Sequence, residues 1–465
     1  MATLNTGQSS EDMFTVVKST SNTLAPRLGR LTLPGRNAIE TPHYIGLTSR
    51  GVVPHLSQDN YASLTSIQGV YTPLEDFIER KVPPLYLFKP PDGSSRLRRF
   101  TALPDKSLLV LGARRTPPVI APPATSNTND SIAVSTLVGF KLLKAEEYAE
   151  SVEKLGADIV IGLGDIPYGR ALGSKRIVKA TDRSIEWLQD HVARRKRNAG
   201  QAGFEGQGKL FAPLIPLSCA KQQFYIDTLA EELQNDVAGL AIYSSVTLED
   251  LPDEIAHLPR LDLTEVATPR AVLRQIANGV DVITMPFVSV VTDAGIALDF
   301  TFPGPKQIPP TPLSLGIDLW TTSHATDLSP LREGCTCYAC TDHHRAYLQH
   351  LLAAKEMLGW VLLQIHNHHV IDQFFAAIRS SIAAGTFEKD IDTFTRCYEP
   401  ELPEKTGQGP RVRGYQFRSE GPGEAKKNPT AFNTYDSSGV ETPVAPDASE
   451  DAGDLEGKGF AEKDG

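Results

Sequence analysis

The sequence predicts an α/β protein: a (β/α)8 TIM barrel with a zinc-binding module inserted near the C-terminal end of the barrel. Short branched-apolar runs alternate with longer stretches of helical period, in roughly eight units over about 300 residues. The chain has 465 residues and is 40% apolar, which is enough for one large core. Three of its five cysteines fall between positions 335 and 340.

The first predicted element is a hairpin over residues 27–45, RLGRLTLPGRNAIETPHYI, with PGRN as its turn. Branched-apolar runs then predict seven barrel strands, at 43–47, 107–112, 158–163, 210–215, 239–244, 260–266 and 280–285. Helical periodicity predicts helices at 144–156, 183–195, 222–234 and 268–279. An open doubly wound sheet is the alternative, because periodicity alone does not distinguish it from a closed barrel.

Both ends of the chain are predicted to lie outside the barrel. Residues 1–20 are expected to form a flexible N-terminus. Residues 400–465 are rich in Gly, Pro, Ser, Glu and Lys, a composition that does not offset the entropy of ordering, and we expect a disordered acidic tail. This leaves residues 21–395 for the barrel, with the zinc module at about 330–385.

The formal net charge is −10, of which residues 441–465 contribute −6. Basic residues are concentrated instead between positions 173 and 198, where eight Lys or Arg stand against three acids. Two interpretations stay open. The cations complement the dipole at the C-terminal end of a helix, or they form a surface that contacts nucleic-acid phosphates.

The composition also indicates a cellular compartment. The N-terminus MATLNTGQSSEDMF has neither the basic flank nor the apolar stretch of a secretory signal, and an odd number of clustered cysteines does not suggest a disulfide framework. No run of eighteen apolar residues occurs. We therefore expect a cytoplasmic protein without a transmembrane segment.

The cysteine cluster predicts a metal site. Cys335, Cys337 and Cys340 have the spacing C-x-C-x-x-C, which lets three thiolates reach one tetrahedral ion at about 2.3 Å each. Zinc is the natural ion for sulfur-rich tetrahedral ligation without sign of redox chemistry. A fourth ligand from a histidine would close the shell, which makes the site structural rather than catalytic.

Spacing alone leaves six histidines as candidates for the fourth ligand: His343, His344, His350, His366, His368 and His369. One unbroken helix from Cys340 would carry His366 nearly 40 Å away, at about 1.5 Å per residue. The chain must therefore turn back for His366 to be a ligand, and we predict the break of an αα-hairpin at KEMLG, around Gly359.

At this point the sequence resembles the tRNA-guanine transglycosylase family over most of residues 27–385. The resemblance is carried by C-x-C-x-x-C followed by 25 residues and a His, with RAYLQHLL and LLQIHN, by the hairpin RLGRLTLPGRNAIETPHYI, and by LGADIVIG and RSIEWL. It implies a (β/α)8 barrel with an inserted zinc module. It also implies that one structural zinc ion is held by Cys335, Cys337, Cys340 and His366, and that the family reaction exchanges guanine for a 7-deazaguanine base in tRNA.

The nucleophile of that reaction is missing at the position where the resemblance places it. Replacing a base on ribose with retention needs a carboxylate that forms a covalent ribosyl intermediate, and a second carboxylate for proton transfer. Catalytic members carry the nucleophilic Asp in a Gly-Val-Asp-x-x-Asp pattern, which here reads GVDVIT and ends at Thr284. Asp281 falls on the opposite face of that strand, and we predict a structural role for it.

Two further catalytic elements are also altered. The Ser-Gly-Gly-Phe-Gln turn that follows the second carboxylate in catalytic members has no counterpart in the chain. Tyr243, Ser244 and Ser245 stand where paired glycines would let a flat base approach the backbone. Asp165 lies one position from the base-recognising Asp of the family, and the alignment of this stretch is left open.

These losses, together with SPLREGCTCYACTDHHRAYLQHLL and VPHLSQDNY, are similar to the non-catalytic eukaryotic branch of the family. That resemblance implies a heterodimer with a catalytic queuine tRNA-ribosyltransferase subunit, which binds tRNA as a complex. The implied reaction replaces guanine with queuine at the wobble position of tRNAs with G-U-N anticodons. Peripheral association with an organelle surface, the mitochondrial outer membrane, also follows from the resemblance.

Two alternatives from other classes stay open. The protein could be an autonomous transglycosylase that uses a different carboxylate, or a zinc-stabilised RNA-binding scaffold without any link to base exchange. The basic cluster at 175–197 and the zinc module are the candidate surfaces for tRNA and for the partner subunit.

Overall fold

Eight parallel strands close into a barrel in the computed structural model of the chain, which confirms the predicted fold class. The structure describes residues 13–19, 24–91, 94–122, 125–168, 173–199 and 208–410. In barrel order the strands are β4 (His43–Leu47), β5 (Gly69–Pro73), β6 (Leu108–Gly112), β9 (Ile159–Ile161), β10 (Lys209–Leu214), β11 (Gly239–Ile242), β12 (Arg260–Asp262) and β13 (Val282–Thr284), and β13 pairs in parallel with β4.

The other strands lie outside the barrel in three small antiparallel sheets: β1 (Phe14–Lys18), β2 (Leu28–Leu31) and β3 (Ile39–Thr41); β7 (Ser131–Thr136) and β8 (Gly139–Lys144); β14 (Ile296–Leu298) and β15 (Gly316–Asp318). The helices are α1 (Gln58–Leu64), α2 (Pro84–Leu87), α3 (Arg96–Phe100), α4 (Ala145–Leu155), α5 (Ser174–Asn198), α6 (Gln223–Glu231), α7 (Asp253–Ala256), α8 (Pro269–Ala277), α9 (Pro286–Asp293), α10 (Tyr338–Asp342), α11 (Arg345–Ala353), α12 (Met357–Ala384) and α13 (Phe387–Cys397).

The barrel strands are apolar on both faces, because their side chains alternate between the barrel interior and the surrounding helices. On β4, Ile45 joins the interior cluster with Leu261 and Val282, while Tyr44 packs outward against α12. The interior is filled by side chains and is a packed core rather than a pore. Leu31 and Ile39 of the N-terminal sheet extend this interior cluster and cover one end of the barrel.

All seven predicted barrel strands are present, with ends shifted by a few residues. The sequence reasoning missed the eighth, β5, because GVYTP begins with Gly and ends with Pro, residues that ordinarily mark strand ends. Helix α5 begins nine residues before the predicted 183–195 segment. The αα-hairpin turns at residues 354–356, before Gly359, which lies in the first turn of α12 where it packs against α11.

The predicted terminal segments lie largely outside the described residues. Within 1–20, residues 13–19 are described. They contain β1, which pairs with β2 in an antiparallel arrangement. Ordered structure therefore begins earlier than the sequence predicted. Within 400–465, only residues up to 410 are described, and the assignment of the rest as an acidic disordered tail stays a prediction, as does the domain division.

Asp281 joins three parts of the chain at the closing strand of the barrel. Its carboxylate accepts hydrogen bonds from Arg27 Nε at 2.8 Å and Arg27 Nη2 at 2.6 Å, and from the backbone N–H of Arg260 at 2.7 Å. Both members of the ion pair are buried. Asp281 thus has the structural role that its place in the sequence predicts.

Replacing Asp281 with Ala leaves the Arg27 guanidinium buried without its counter-charge. We expect Asp281→Ala to lower the free energy of unfolding by about 3–5 kcal/mol, measured by urea denaturation. The control is Glu40→Ala, which removes the exposed Arg30–Glu40 pair and should change stability by less than about 1 kcal/mol. Equal effects of the two substitutions would contradict this role for Asp281.

Candidate functional site

Four buried side chains from two distant segments meet in the C-terminal part of the chain. The Sγ atoms of Cys335, Cys337 and Cys340 and a ring nitrogen of His366 all lie within 4.8 Å of one another. The distances from His366 Nδ1 to the three sulfurs are 3.8, 3.5 and 3.3 Å, in chain order. The structure therefore brings together the four residues that the sequence analysis selected, in a cluster that could hold a metal ion.

The cysteine segment has the backbone turns that converge its sulfurs. Gly334 adopts φ +70, a left-handed conformation that favours glycine, and the N–H of Cys335 donates to the carbonyl of Arg332 at 3.2 Å. Cys337 caps the short helix α10, and its carbonyl accepts from the N–H of Cys340 at 3.0 Å. These tight turns place all three thiols on one side of the loop.

His366 is oriented by the β14–β15 hairpin. Its Nε2 lies 2.9 Å from the carbonyl oxygen of Leu298, which can only accept, so Nε2 carries the proton. Nδ1 is then the lone-pair nitrogen, and it is the atom that faces the three sulfurs. The next residue, Asn367, accepts from the N–H of Leu298 at 2.8 Å and donates to Thr292 and Ile296. The sequence analysis did not predict these contacts of Asn367, although Asn367 directly follows His366 in the string IHN.

The separations fit a tetrahedral ion. Typical Zn–S and Zn–N bonds of about 2.3 and 2.0–2.1 Å at a tetrahedral angle place sulfur and nitrogen about 3.6 Å apart, and the three distances bracket this value. Hydrogen bonds from Cys337 and Cys340 hold the pKa of the Cys335 thiol well below its ordinary value, and the bonds within the same cluster raise the pKa of the Cys337 thiol. Four protein ligands leave no open position for a reacting water.

The other five histidines of the region are placed elsewhere. His343 stacks on Tyr347, and His344 accepts from the N–H of Tyr347 to cap α11. His350 is exposed, and His369 contacts Gln373. His368 is buried against Tyr44, and burial lowers its pKa to about 3. Among the described histidines, His366 is the one whose ring nitrogen forms a group with all three sulfurs, and His369 also contacts Cys335.

The mouth of the barrel is the second place where function was expected, and aromatic side chains occupy part of it. Tyr71, Tyr168 and Tyr243 line a cavity there of about 20 Å³, room for about one water molecule. The guanidinium of Arg114 lies over the Tyr168 ring, 5.5 Å from its centre. A Cβ at Gly112 would collide with the Tyr71 ring.

Asp165 is held by internal partners at this mouth. Its carboxylate accepts from Arg176 at 2.5 and 2.7 Å, from Arg183 at 3.0 Å and from Asn127 at 2.6 Å. Burial works to raise the pKa of this carboxyl, but the bonds from Arg176 and Asn127 outweigh it and lower the pKa. Asn127 also accepts from Arg114 at 3.0 Å, so the three polar groups form one network.

Thr284 ends β13 inside the barrel, where its hydroxyl donates to the carbonyl of Asp262 at 3.1 Å. The residue that supplies this carbonyl, Asp262, also carries a buried carboxylate. Because Leu261 and Leu263 face the barrel interior, Asp262 faces the helices, and it accepts from the N–H and hydroxyl of Thr264 at 2.8 and 2.9 Å. Asp262 is therefore not aimed into the mouth.

The basic cluster at 175–197 lies on α5, and many of its cations are bound within the protein. Arg176 and Arg183 pair with Asp165, Arg194 pairs with Glu153, and Arg195 donates to the carbonyl of Gly208. The exposed face of α5 mixes cations with acids: Lys175, Lys179, Asp182, Glu186, Asp190, Lys196 and Arg197, of which Lys196 pairs with Asp236. This distribution favours a solvated helix over a continuous phosphate-binding surface.

The family model described as queuine tRNA-ribosyltransferase matches residues 21–400 of the chain. The chain belongs to this family. The family resemblance seen in the sequence is thus confirmed, and the barrel with its Cys3His cluster agrees with it.

Curated relatives in this family cover most of the chain. One from Schizosaccharomyces pombe is 34% identical over 407 residues, which is 86% of this chain and 88% of the relative. One from Xenopus laevis is 28% identical and covers 78% of this chain and 95% of its own length. One from Drosophila grimshawi is 27% identical over 79% and 88%. Each of the three is named queuine tRNA-ribosyltransferase accessory subunit 2.

Across the described residues, every helix is too short or too polar to cross a bilayer.

Removing one sulfur should empty the Cys3His cluster of metal. We expect the wild-type chain to carry about one zinc ion, and Cys340→Ser to lose most of it and to unfold at lower temperature, because three ligands bind far more weakly than four. Metal content is measured by mass spectrometry of the purified protein. Cys219→Ala is the control, since Cys219 is equally buried but hydrogen-bonds to Thr247 instead. Equal zinc content in all three proteins would contradict the assignment.

Asp262 should make stability depend on pH. Burial raises its pKa to about 7 from 3.8, so the folded state binds a proton that the unfolded state releases. The contribution of Asp262 to the free energy of unfolding is therefore greatest at low pH. It falls by on the order of 3–4 kcal/mol as the pH rises from about 4 to 7. Asp262→Asn, which can still accept from Thr264, should remove this fall and be the more stable protein at pH 8. Urea unfolding across pH 4–8 measures both curves, and parallel curves would rule the assignment out.

Proposed function

We propose that this protein is the non-catalytic subunit of a heterodimeric queuine tRNA-ribosyltransferase. The complex would exchange guanine for queuine at the wobble position of tRNAs with G-U-N anticodons, those for aspartate, asparagine, histidine and tyrosine, to give queuosine. The observation that carries this proposal is Thr284 at the end of the closing strand, where the family reaction needs a carboxylate.

The chemistry at Thr284 argues against a direct replacement for that carboxylate. An alcohol is not ionised near neutral pH without a base, and the Thr284 hydroxyl already donates to a backbone carbonyl. The carboxylates nearby are committed elsewhere: Asp165 to two arginines, and Asp262 to Thr264. The name shared by the relatives supports an accessory role for this chain too.

The small cavity at the barrel mouth supports the same proposal, because the substrate base would have to bind there. A purine base needs a pocket far larger than about 20 Å³. Tyr243 stands at the end of β11, and its ring occupies space into which a base would have to enter. A chain that neither admits the base nor offers a nucleophile contributes to the reaction through its surfaces.

Zinc fits the Cys3His cluster by donor type and by geometry, and we propose it as the resident ion. Cys335, Cys337, Cys340 and His366 would hold it, and bound there it would crosslink the cysteine loop to α12 as a structural ion. The residues of the cluster come from segments 26 positions apart in sequence at their closest, Cys340 and His366, so metal binding contributes directly to folding of the module.

Exposed apolar side chains support a protein partner, the catalytic subunit. Leu328 on the zinc module is 74% exposed, and Met357 and Leu358 at the start of α12 are 47% and 42% exposed. On the barrel, Leu87 of α2 is 68% exposed. Apolar groups left in solvent on a folded chain commonly mark protein interaction sites. tRNA would then be bound by the assembled pair, with cytoplasmic location and peripheral association at the mitochondrial outer membrane as parts of the proposal.

Reconstitution tests this function. We expect the purified chain alone to incorporate no labelled guanine into tRNA, and a mixture with the catalytic homologue to exchange queuine into G-U-N tRNAs. Thr284→Val, which keeps the side-chain shape but removes the hydroxyl, should support the mixture as well as the wild type does, because the hydroxyl takes no part in the chemistry.

The outcomes distinguish the competing functions. Sustained exchange by the chain alone would make it an autonomous transglycosylase, with a different carboxylate as the nucleophile if Thr284→Val keeps this activity and with the Thr284 hydroxyl as the nucleophile if that substitution abolishes it. Tight binding of tRNA by the chain alone, with no effect on the catalytic homologue, would make it an RNA-binding scaffold.

A further inference from the structure

The hairpin of β7 and β8 forms a two-stranded sheet beside the barrel mouth. Residues 131–136 pair in an antiparallel register with residues 144–139. Neither the metal cluster nor the chemistry of the proposed exchange complex uses this hairpin. A strand at the edge of a sheet carries unpaired backbone N–H and C=O groups, which are a template for pairing with another chain. The state of the two edges therefore decides whether the hairpin can bind one.

Side chains from the barrel mouth cover the outer edge of β7. The N–H of Ala133 donates to Asn127 at 2.9 Å, and its carbonyl accepts from Arg114 Nε at 2.8 Å. Two residues further on, the N–H of Ser135 donates to Glu75 at 2.7 Å. Polar side chains thus take the place of a neighbouring strand along this edge.

The same bonds determine where the backbone groups of β8 point. Ala133 lies opposite Leu142, and Ser135 lies opposite Phe140. Because Ala133 and Ser135 turn their N–H groups away from β8, these are the pairs of the ladder that exchange no hydrogen bonds. The N–H and C=O groups of Phe140 and Leu142 therefore point away from β7. Within the described ranges of the chain these groups have no hydrogen-bond partner, so β8 is an open edge.

The side chains along this edge are accessible as well. Phe140, Leu142 and Lys144 alternate along β8 with Leu143, which is buried in the core, so these three side chains share the outer face of the hairpin. Leu142 is 41% exposed, Lys144 is exposed and Phe140 is half-buried. A partner at this edge would meet both free backbone groups and apolar side chains.

The charges of β8 indicate which side chains a partner should carry. Lysines on an edge strand ordinarily discourage pairing, and β8 has two. Lys141 pairs with Glu147 of α4 at 3.2 Å, so its charge is balanced within the chain. Lys144 forms no ion pair with any residue that the structure describes. The edge is therefore complementary to an acidic side chain.

We propose that β8 binds an extended peptide segment of another protein, which adds to the hairpin as a third strand. The free groups of Phe140 and Leu142 recur every second residue, about 6.8 Å apart, and an extended backbone is the ligand whose donors and acceptors match this spacing. Leu142 would pack against an apolar side chain of the segment, and Lys144 would pair with an acidic one. In such strand addition, main-chain hydrogen bonds give affinity and alternate side chains give specificity.

The test selects ligands for the full-length chain from a displayed library of random dodecapeptides. The most enriched peptide is then synthesised, and its affinity is measured by calorimetry. We expect one-to-one binding of a peptide in which apolar residues alternate and at least one Asp or Glu occurs. Binding should slow hydrogen exchange in the peptic fragment that contains Phe140 and Leu142. Methylating the peptide nitrogens that face β8 should weaken binding at least about tenfold, whereas methylating the intervening nitrogens should have little effect.

Variants of β8 test the same contact from the side of the protein. Leu142→Pro removes an N–H that makes no internal hydrogen bond, a place where an edge strand tolerates proline, and it should weaken peptide binding at least about tenfold. Lys144→Glu should weaken binding about threefold or more by repelling the acidic residue. Thermal unfolding shows whether each variant is folded. If Leu142→Pro is not, Lys144→Glu and the methylated peptides decide the outcome.

Leu87→Ser is the matched control, because Leu87 is an exposed apolar residue of α2 rather than of β8, and this variant should bind the peptide as the wild type does. Equal peptide binding by the wild type and folded Leu142→Pro, or binding that leaves exchange in β8 unchanged, would overturn the proposal. A dimer of the free chain that Leu142→Pro dissociates would also overturn it, since the occupant would then be a second copy. None of these measurements involves base exchange, so the proposed function is tested separately.

Discussion

Helix α12 holds both backbone groups of Leu298, and the inserted module depends on this contact. The N–H donates to Asn367 and the carbonyl accepts from His366, so two consecutive side chains of one helix fix one residue of β14. The same bond that fixes β14 decides which ring nitrogen of His366 is free. A partner on the far nitrogen orients a metal ligand and sets its tautomer. The hairpin, the helix and the cysteine loop are therefore interdependent.

The barrel mouth shows the opposite arrangement, because its polar groups satisfy one another. Arg114, Asn127 and Asp165 are linked by hydrogen bonds, and Tyr71 donates to the carbonyl of Arg114 at 2.6 Å. A catalytic pocket must leave some of its donors and acceptors for the substrate, at a cost in stability. Here the groups at the strand ends stabilise the fold instead.

Periodicity predicted the barrel well because each unit is local: a buried strand and a neighbouring amphipathic helix are both visible in a short window of sequence. It failed at β5, where Gly69 and Pro73 resemble turn residues although all five positions are buried. The three sulfurs were predictable because they are close in sequence. The choice of His366 needed the family resemblance, and the partner of its other nitrogen, Leu298, could not be predicted at all. That contact joins positions 68 apart through a backbone carbonyl. Every residue has such a carbonyl, so the amino-acid sequence carries no signal of this contact.

The arginines of α5 show why charge along a sequence is a weak guide to nucleic-acid binding. A buried carboxylate at position 165 is costly unless cations and hydrogen bonds neutralise it. Arg176 and Arg183, two turns apart on one face of α5, supply both. Residues that look like a phosphate-binding cluster in the sequence thus neutralise an acid within the same chain. A buried carboxylate at this position requires these arginines whether or not it contacts a ligand, so cations that cluster in the sequence can have a structural function.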